Sequence, residues 1–111
     1  HLDHKYEDAA RLLQINEILS HVEQLDLPVI LGGDLNSRRG SATMEAFQRY
    51  FTVNCLSDGA PWTVPAPNPT YACDWLIYAP NKAFVVKAYN VCYWADKESD
   101  HFPVTATYVI R

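Results

Sequence analysis

The sequence is short of cysteine, of basic residues and of long apolar runs, and each shortage narrows what the chain can be. Three cysteines, Cys55, Cys73 and Cys92, stand far apart. Their odd count leaves at least one thiol unpaired, and no C-x-x-C pair is present to serve zinc or dithiol redox chemistry. Free cysteine is commonly buried, so all three are expected to be structural core residues. Lysine and arginine together number nine against thirteen acids, for a net charge of −4, and the sole adjacent basic pair is Arg38-Arg39. That excludes a broad basic surface for a nucleic-acid backbone, though not a phosphate substrate held through a metal. No apolar run approaches the ~20 residues of a membrane-spanning helix. No signal-peptide pattern is visible, and no repeat or low-complexity tract appears.

What is present is enough for one domain. The 111 residues are 49% hydrophobic, with three Trp, seven Tyr and four Phe to build a core. A domain of this size keeps much of its surface wet and is expected to be modestly stable. Residues 5 to 25 read as an amphipathic helix. Leu12, Ile15, Leu19 and Val22 form one stripe, widened by Ile18 and Leu25, with Arg11, Gln14, Glu17 and Glu23 as the polar positions between them. Asp3 is a candidate cap, and Asp8 lies in the early turns, where the helix dipole favours an acid. Pro28 marks the end. Val29 to Leu31 is short and wholly apolar, as expected of a parallel strand covered on both faces. A helix followed by such a strand points to an α/β architecture.

Ser41 is a candidate cap for a second helix running to about Tyr50, with Met44, Phe47 and Phe51 facing inward. Residues 57 to 70 hold four of the seven prolines and read as a loop. Trp62 in that loop either packs on a substrate or belongs to a rigid cover over the sheet. Three strands follow. Residues 73 to 78 alternate Cys73, Trp75 and Ile77 against Asp74, Leu76 and Tyr78. Residues 83 to 91 form the next, after a turn at Pro80-Asn81. Residues 103 to 110 form the last, with Pro103 at its entrance, where a missing N–H does least harm.

Polar groups gather at the ends of these elements, where α/β sheets carry their ligand sites. Asp34 and Asn36 follow the short strand on Gly32-Gly33; they are either an Asx-turn or a site for a charged ligand. The two glycines would let the backbone approach such a ligand closely. His1 is either a frayed terminus or part of the same site, and His1-x-x-His4 lacks the further ligands of a zinc centre. Asp74 stands in an otherwise apolar strand and needs a partner, because an unpaired buried charge is costly. His101, beside Asp100, is the obvious one: a carboxylate that fixes an imidazole tautomer prepares a general base. Acids to hold a divalent cation, an oriented imidazole to take a proton from water, and an amide and second histidine to meet phosphoryl oxygens are the parts for hydrolysing a phosphate ester.

Four motifs in order, HLDH (1–4), GGDLN (32–36), CDWLIY (73–78) and SDHFPV (99–104), resemble the endonuclease/exonuclease/phosphatase superfamily. That group includes deoxyribonuclease I-like nucleases, apurinic endonucleases, inositol polyphosphate phosphatases and neutral sphingomyelinases. The resemblance implies an α/β fold forming part of a four-layer sandwich of the deoxyribonuclease I-like type, a helix-covered mixed sheet. It implies that residues 1–111 are the C-terminal half of the family's domain, whose first half carries an early Asn and a metal-binding Glu. By the same resemblance His101 is the general base and Asp74 its orienting carboxylate. Asp100 is a metal ligand. Asp34 and Asn36 join it in holding the metal and contact the scissile phosphate and its water or leaving group, and His1 stabilises phosphoryl oxygens. The implied cofactor is Mg²⁺, with Mn²⁺ as a substitute. The implied reaction is metal-assisted attack of water on a phosphate ester, with long duplex DNA disfavoured by the acidic balance. The other expectation is a non-catalytic fragment that pairs through an exposed sheet face, with a second copy or with the missing half.

Overall fold

The long amphipathic stretch forms helix α1, but only over Ala9–Glu23, four residues later than its periodicity suggests. The computed structural model describes residues 1–53 and 61–111. Cys55 and the first residues of the expected loop, 57 to 60, lie outside the described residues. Asp8 occupies the N-cap of α1 without making a side-chain cap bond. Its carboxylate is taken by Arg11 at 3.0 Å and by Thr43 at 2.5 Å. Asp3 instead accepts the Lys5 N–H in the segment that precedes the helix.

Arg11, expected on the polar face, is 5% exposed. Its guanidinium donates to the carbonyls of Asp3, Lys5 and Tyr6, to the Asp8 carboxylate and to Thr43 Oγ1. It is tolerated inside because nearly every N–H has an acceptor, and it ties residues 3–8 to both helices. The remainder of the stripe behaves as its spacing requires. Ile15 and Val22 are buried, Leu12, Ile18 and Leu19 pack at their edges, and Leu25 beyond the helix end is exposed.

Strand β1 (Val29–Asp34) runs antiparallel to β3 (Asp74–Ala79), in register from Val29 opposite Ala79 to Asp34 opposite Asp74. The expected parallel strand is therefore not formed. Its apolar run has a simpler cause: Val29 and Leu31 face the helices, while Ile30 on the other face is 45% exposed. Helix α2 (Ala42–Gln48) starts at Ser41, whose hydroxyl accepts the Met44 N–H as expected of an N-cap. The chain then adds β2 (Thr52–Val53) to the far side of β3, so the sheet order is β1-β3-β2. All described pairings are antiparallel, where a mixed sheet was expected.

One face of this sheet meets α1 and α2. Trp75 and Ile77 of β3 join Ile15, Met44 and Phe47 in the core, each at 2% exposure or less. Each such side chain contributes about 1.5–3 kcal/mol by leaving water. Trp75 Nε1 also donates to the Ser37 carbonyl at 2.9 Å, which anchors the loop after β1.

The other face meets a two-stranded sheet of β4 (Phe84–Val91) and β5 (Val104–Ile110). Tyr78 makes edge-on contacts with Phe84 and Tyr108, with ring centres 5.6 and 5.5 Å apart. The Leu76 N–H donates to the Tyr89 hydroxyl. Two helices on one sheet with a second small sheet behind it make an α/β arrangement. The segment entering β5 is pinned where Phe102 N–H donates to the Thr63 carbonyl and Ala66 N–H to the Asp100 carbonyl, each at 2.8 Å. That seam carries His101 to the end of β3.

Candidate active site

The cross-strand register builds the centre. Asp34 closes β1 and Asp74 opens β3, and because they are direct partners their carboxylates share one sheet edge. His101 reaches the same place from the entrance of β5. Its Nδ1 lies 2.9 Å from Asp74 Oδ2. Donation from Nδ1–H to the carboxylate leaves Nε2 as the free basic nitrogen. Burial pulls the His101 pKa down, but the hydrogen bond and charge of Asp74, with the charges of Asp34 and Asp100, outweigh it and leave it raised.

Asp74 Oδ2 is held by more than the imidazole. Thr63 Oγ1 donates to it at 2.5 Å, and the Cys73 thiol lies 3.5 Å away. Thr63 is fully buried, in the loop after the undescribed segment. Nothing in the sequence marks it, since a single threonine among prolines carries no pattern; only the fold brings it to the carboxylate. Cys73 is buried as expected, yet it borders the centre rather than the core alone. Burial, then the charges of Asp74 and Asp34, push its thiol far above the ordinary range, so it stays protonated. Cys92 is half-buried.

The Asx-turn reading of Asp34 and Asn36 holds, and it uses one carboxylate oxygen of Asp34. Asp34 Oδ1 accepts the Asn36 N–H at 2.7 Å, an Asx-turn that sets Asn36 at φ 45°, a left-handed conformation Asn tolerates. Asp34 Oδ2 faces His1 Nε2 at 3.4 Å, and Asn36 Nδ2 stands 3.4 Å from the same nitrogen. His1 is not frayed away from the site. Leu2 is buried, its N–H donates to the Asp34 carbonyl, and its own carbonyl accepts Asn36 Nδ2 at 2.8 Å.

The reason for Gly32 differs from the one expected. A Cβ there would come within 2.6 Å of Leu76 Cδ2 across the strand pair, so this glycine makes room for Leu76 rather than for a ligand. Gly33 has φ 156° and lies beneath the His1 backbone nitrogen.

Asp34, Cys73, Asp74 and His101 each bring a donor atom within 4.8 Å of one another. With the thiol protonated and Asp74 Oδ2 engaged, the donors left are the Asp34 carboxylate, the second Asp74 oxygen and the imidazole nitrogen of His101. Asp100 is not in this cluster; it is exposed and acts on His101 through its charge. Asn36 approaches through the Asx-turn. A cleft of about 280 Å³ opens beside these groups, walled by Leu76, Phe102, Pro103 and Val104. Trp62 is half-exposed, and its carbonyl accepts the Tyr93 hydroxyl. His4 stands apart from the cluster and is exposed.

No protein-family model and no curated protein matches this sequence. Solved structures do. A functionally unknown conserved protein from Enterococcus faecalis V583 superposes with a TM-score of 0.83 at 24% identity, over 100% of this chain and 48% of that one. A mannosyl-6-phosphatase from Bacteroides thetaiotaomicron gives 0.70 at 24% identity, over 99% of this chain and 49% of the other. An endonuclease/exonuclease/phosphatase family protein from the same species gives 0.72 at 23% identity, over 100% and 48%. The chain thus spans about half the length of the solved structures it matches. No helix among the described residues is long and apolar enough to cross a membrane. In its fold, this chain is similar to about half of an endonuclease/exonuclease/phosphatase family protein, in agreement with the four motifs its sequence carries.

Proposed function

We propose that this chain carries the reaction centre of a metal-assisted phosphoric ester hydrolase. The observation that carries the reading is the 2.9 Å contact between His101 Nδ1 and Asp74 Oδ2, beside the carboxylate of Asp34. Asp74, itself steadied by Thr63, orients the imidazole and stabilises its charged form. His101 Nε2 then takes a proton from the attacking water. His1 and the Asn36 amide meet phosphoryl oxygens as negative charge grows on them. Asp34, Asn36 and, from outside the cluster, Asp100 would supply oxygen donors for Mg²⁺, or Mn²⁺ in its stead. When bound, that ion would offset charge on the phosphoryl group. Phosphorylated sugars are among the substrates to try, since one neighbour in fold is a mannosyl-6-phosphatase. Long duplex DNA suits a chain of net charge −4 poorly.

Bis-p-nitrophenyl phosphate turnover in Mg²⁺ tests the reading. The chain should hydrolyse it, and His101→Ala should lower kcat by about 10²–10⁴-fold. Turnover that persists in His101→Ala would defeat the mechanism.

A second reading is favoured by the exposed apolar residues Ile30, Val109 and Ile110, at 45%, 46% and 72% exposure, together with the half-length match to the neighbours. Here the chain is inactive alone and associates through exposed apolar residues of its sheets, with a second copy or with a further segment that completes the site. Activity in a clean monomer would exclude it.

A further inference from the structure

A second cleft, of about 480 Å³, lies on the other side of the Asn36 turn. It runs between the segment preceding α1 and the loop from Asn36 to Ser41, and Cys73 and Asn36 form its boundary with the Asp34–Asp74–His101 centre. We propose that this cleft binds a second anionic group of the substrate, a phosphate or carboxylate carried by the part of the molecule attached to the scissile ester.

The argument begins with charge. Lys5, Arg38 and His4 line the cleft. Asp8 lines it too, but its carboxylate is occupied by Arg11 and Thr43, whose hydrogen bonds hold its pKa below the usual carboxylate range. Arg11 is likewise consumed by backbone carbonyls and Asp8. The lysine and Arg38 are left to set the sign of the cleft.

A second observation is independent of charge. Ser37 is 4% exposed and lines this cleft, and its Oγ has no hydrogen-bond partner among the described residues. A buried hydroxyl without a partner is destabilising; turning it about its Cα–Cβ bond toward the cleft would let a seated anion accept its proton.

A third concerns shape. Arg38 lies over the Tyr71 ring with its guanidinium carbon 4.0 Å from the ring centre. This fixes the planar fork at the cleft. It also covers a ring face on which a neutral sugar would otherwise stack, so the lining favours an anion over a bare carbohydrate. Calling the cleft a substrate subsite rests on the hydrolase reading; anion binding there does not, and the test is chosen to keep the two apart.

Inorganic phosphate, titrated calorimetrically and by amide NMR shifts into the chain with EDTA present, probes the cleft without metal or turnover. Binding should be measurable in the millimolar range, with shifts gathered at Lys5, Ser37 and Arg38. The Lys5→Gln/Arg38→Gln double variant should weaken it about tenfold or more. Ser37→Ala should weaken it by about threefold, from one lost neutral hydrogen bond. The His1→Ala/His101→Ala double variant should leave it unchanged. Shifts gathered instead at Leu76 and Phe102, binding lost in the double histidine variant, or binding unaffected by loss of Lys5 and Arg38 would each overturn the proposal. So would a neutral glycoside (methyl glucoside) binding more tightly than phosphate. Absent phosphatase activity alongside intact phosphate binding would sink the hydrolase reading and leave the anion site standing.

Discussion

Two clefts meet at the Asn36 turn, and they are built by opposite means. The acidic one is a product of the sheet. Asp34 and Asp74 are distant in sequence and become neighbours through strand register, and His101 arrives by way of the β5 entrance. The cationic one is a product of a single buried side chain. Arg11 gathers the carbonyls of residues 3, 5 and 6 and so holds the wall that carries Lys5. In the first, charge is concentrated and compensated by an imidazole. In the second, the buried charge is spent on scaffolding, and the solvent-facing cations are free to meet a ligand. Arg11 thus shapes a cleft without facing into it as a free charge.

The largest blow to the comparison should come from Arg11→Met. It removes the charge from a 5%-exposed position, leaves Asp8 with Thr43 as its remaining named donor and strands three carbonyls. Unfolding in urea should register a loss of about 3–5 kcal/mol. A cost under about 1 kcal/mol would show that the wall does not depend on it.

Thr63→Val should act on the acidic cleft alone. Losing the hydrogen bond to Asp74 should cost about 1–3 kcal/mol of stability. It should also blur the pH dependence of His101, read from imidazole NMR shifts. An unchanged titration curve with unchanged stability would mean that Thr63 is a bystander.

The His101 titration itself is the next sharpening. Its pKa is raised in the folded, metal-free chain, so the imidazolium stabilises the fold below the unfolded value of about 6.5, and that stabilisation fades as pH rises through the folded value. Relative to His101→Ala, the wild-type chain in EDTA should therefore lose thermal stability as pH rises through that range. The titration should move down in Asp74→Asn, because its hydrogen bond and charge raise the value. A midpoint at or below the ordinary histidine value would contradict the geometry.

The smallest effect belongs to the cationic cleft. Ser37→Ala deletes a hydroxyl without a partner among the described residues, so stability should be unchanged or higher by up to about 1 kcal/mol. A measurable loss by thermal unfolding would reveal a partner for that oxygen.

Much of this was legible along the chain, and the misses share a cause. The α1 stripe, the Ser41 cap, the alternation of Trp75 and Ile77, and the need of Asp74 for His101 all follow from periodicity, capping chemistry or the cost of an unpaired charge. The late start of α1 and the burial of Arg11 were not legible, because both depend on where carbonyls of residues 3–6 fall in space. An apolar triplet such as Val29–Leu31 is equally compatible with a parallel strand and with an antiparallel one lying under helices. Only the partner, β3, decides it. Thr63 could not have been singled out by any pattern.

Residue order and type by themselves determined which groups must find partners: a carboxylate within an apolar strand, a histidine next to a strand entrance, a turn able to hold Asn36 in a left-handed conformation. Spacing along the chain has no access to distances between elements. Tertiary structure alone decided that Asp34 opposes Asp74, that Thr63 closes on the same oxygen, and that Arg11 rather than Asp3 organises the entry to α1. The physical reason is that hydrogen-bond register and burial are properties of pairs of segments, set only when the sheet and helices pack together.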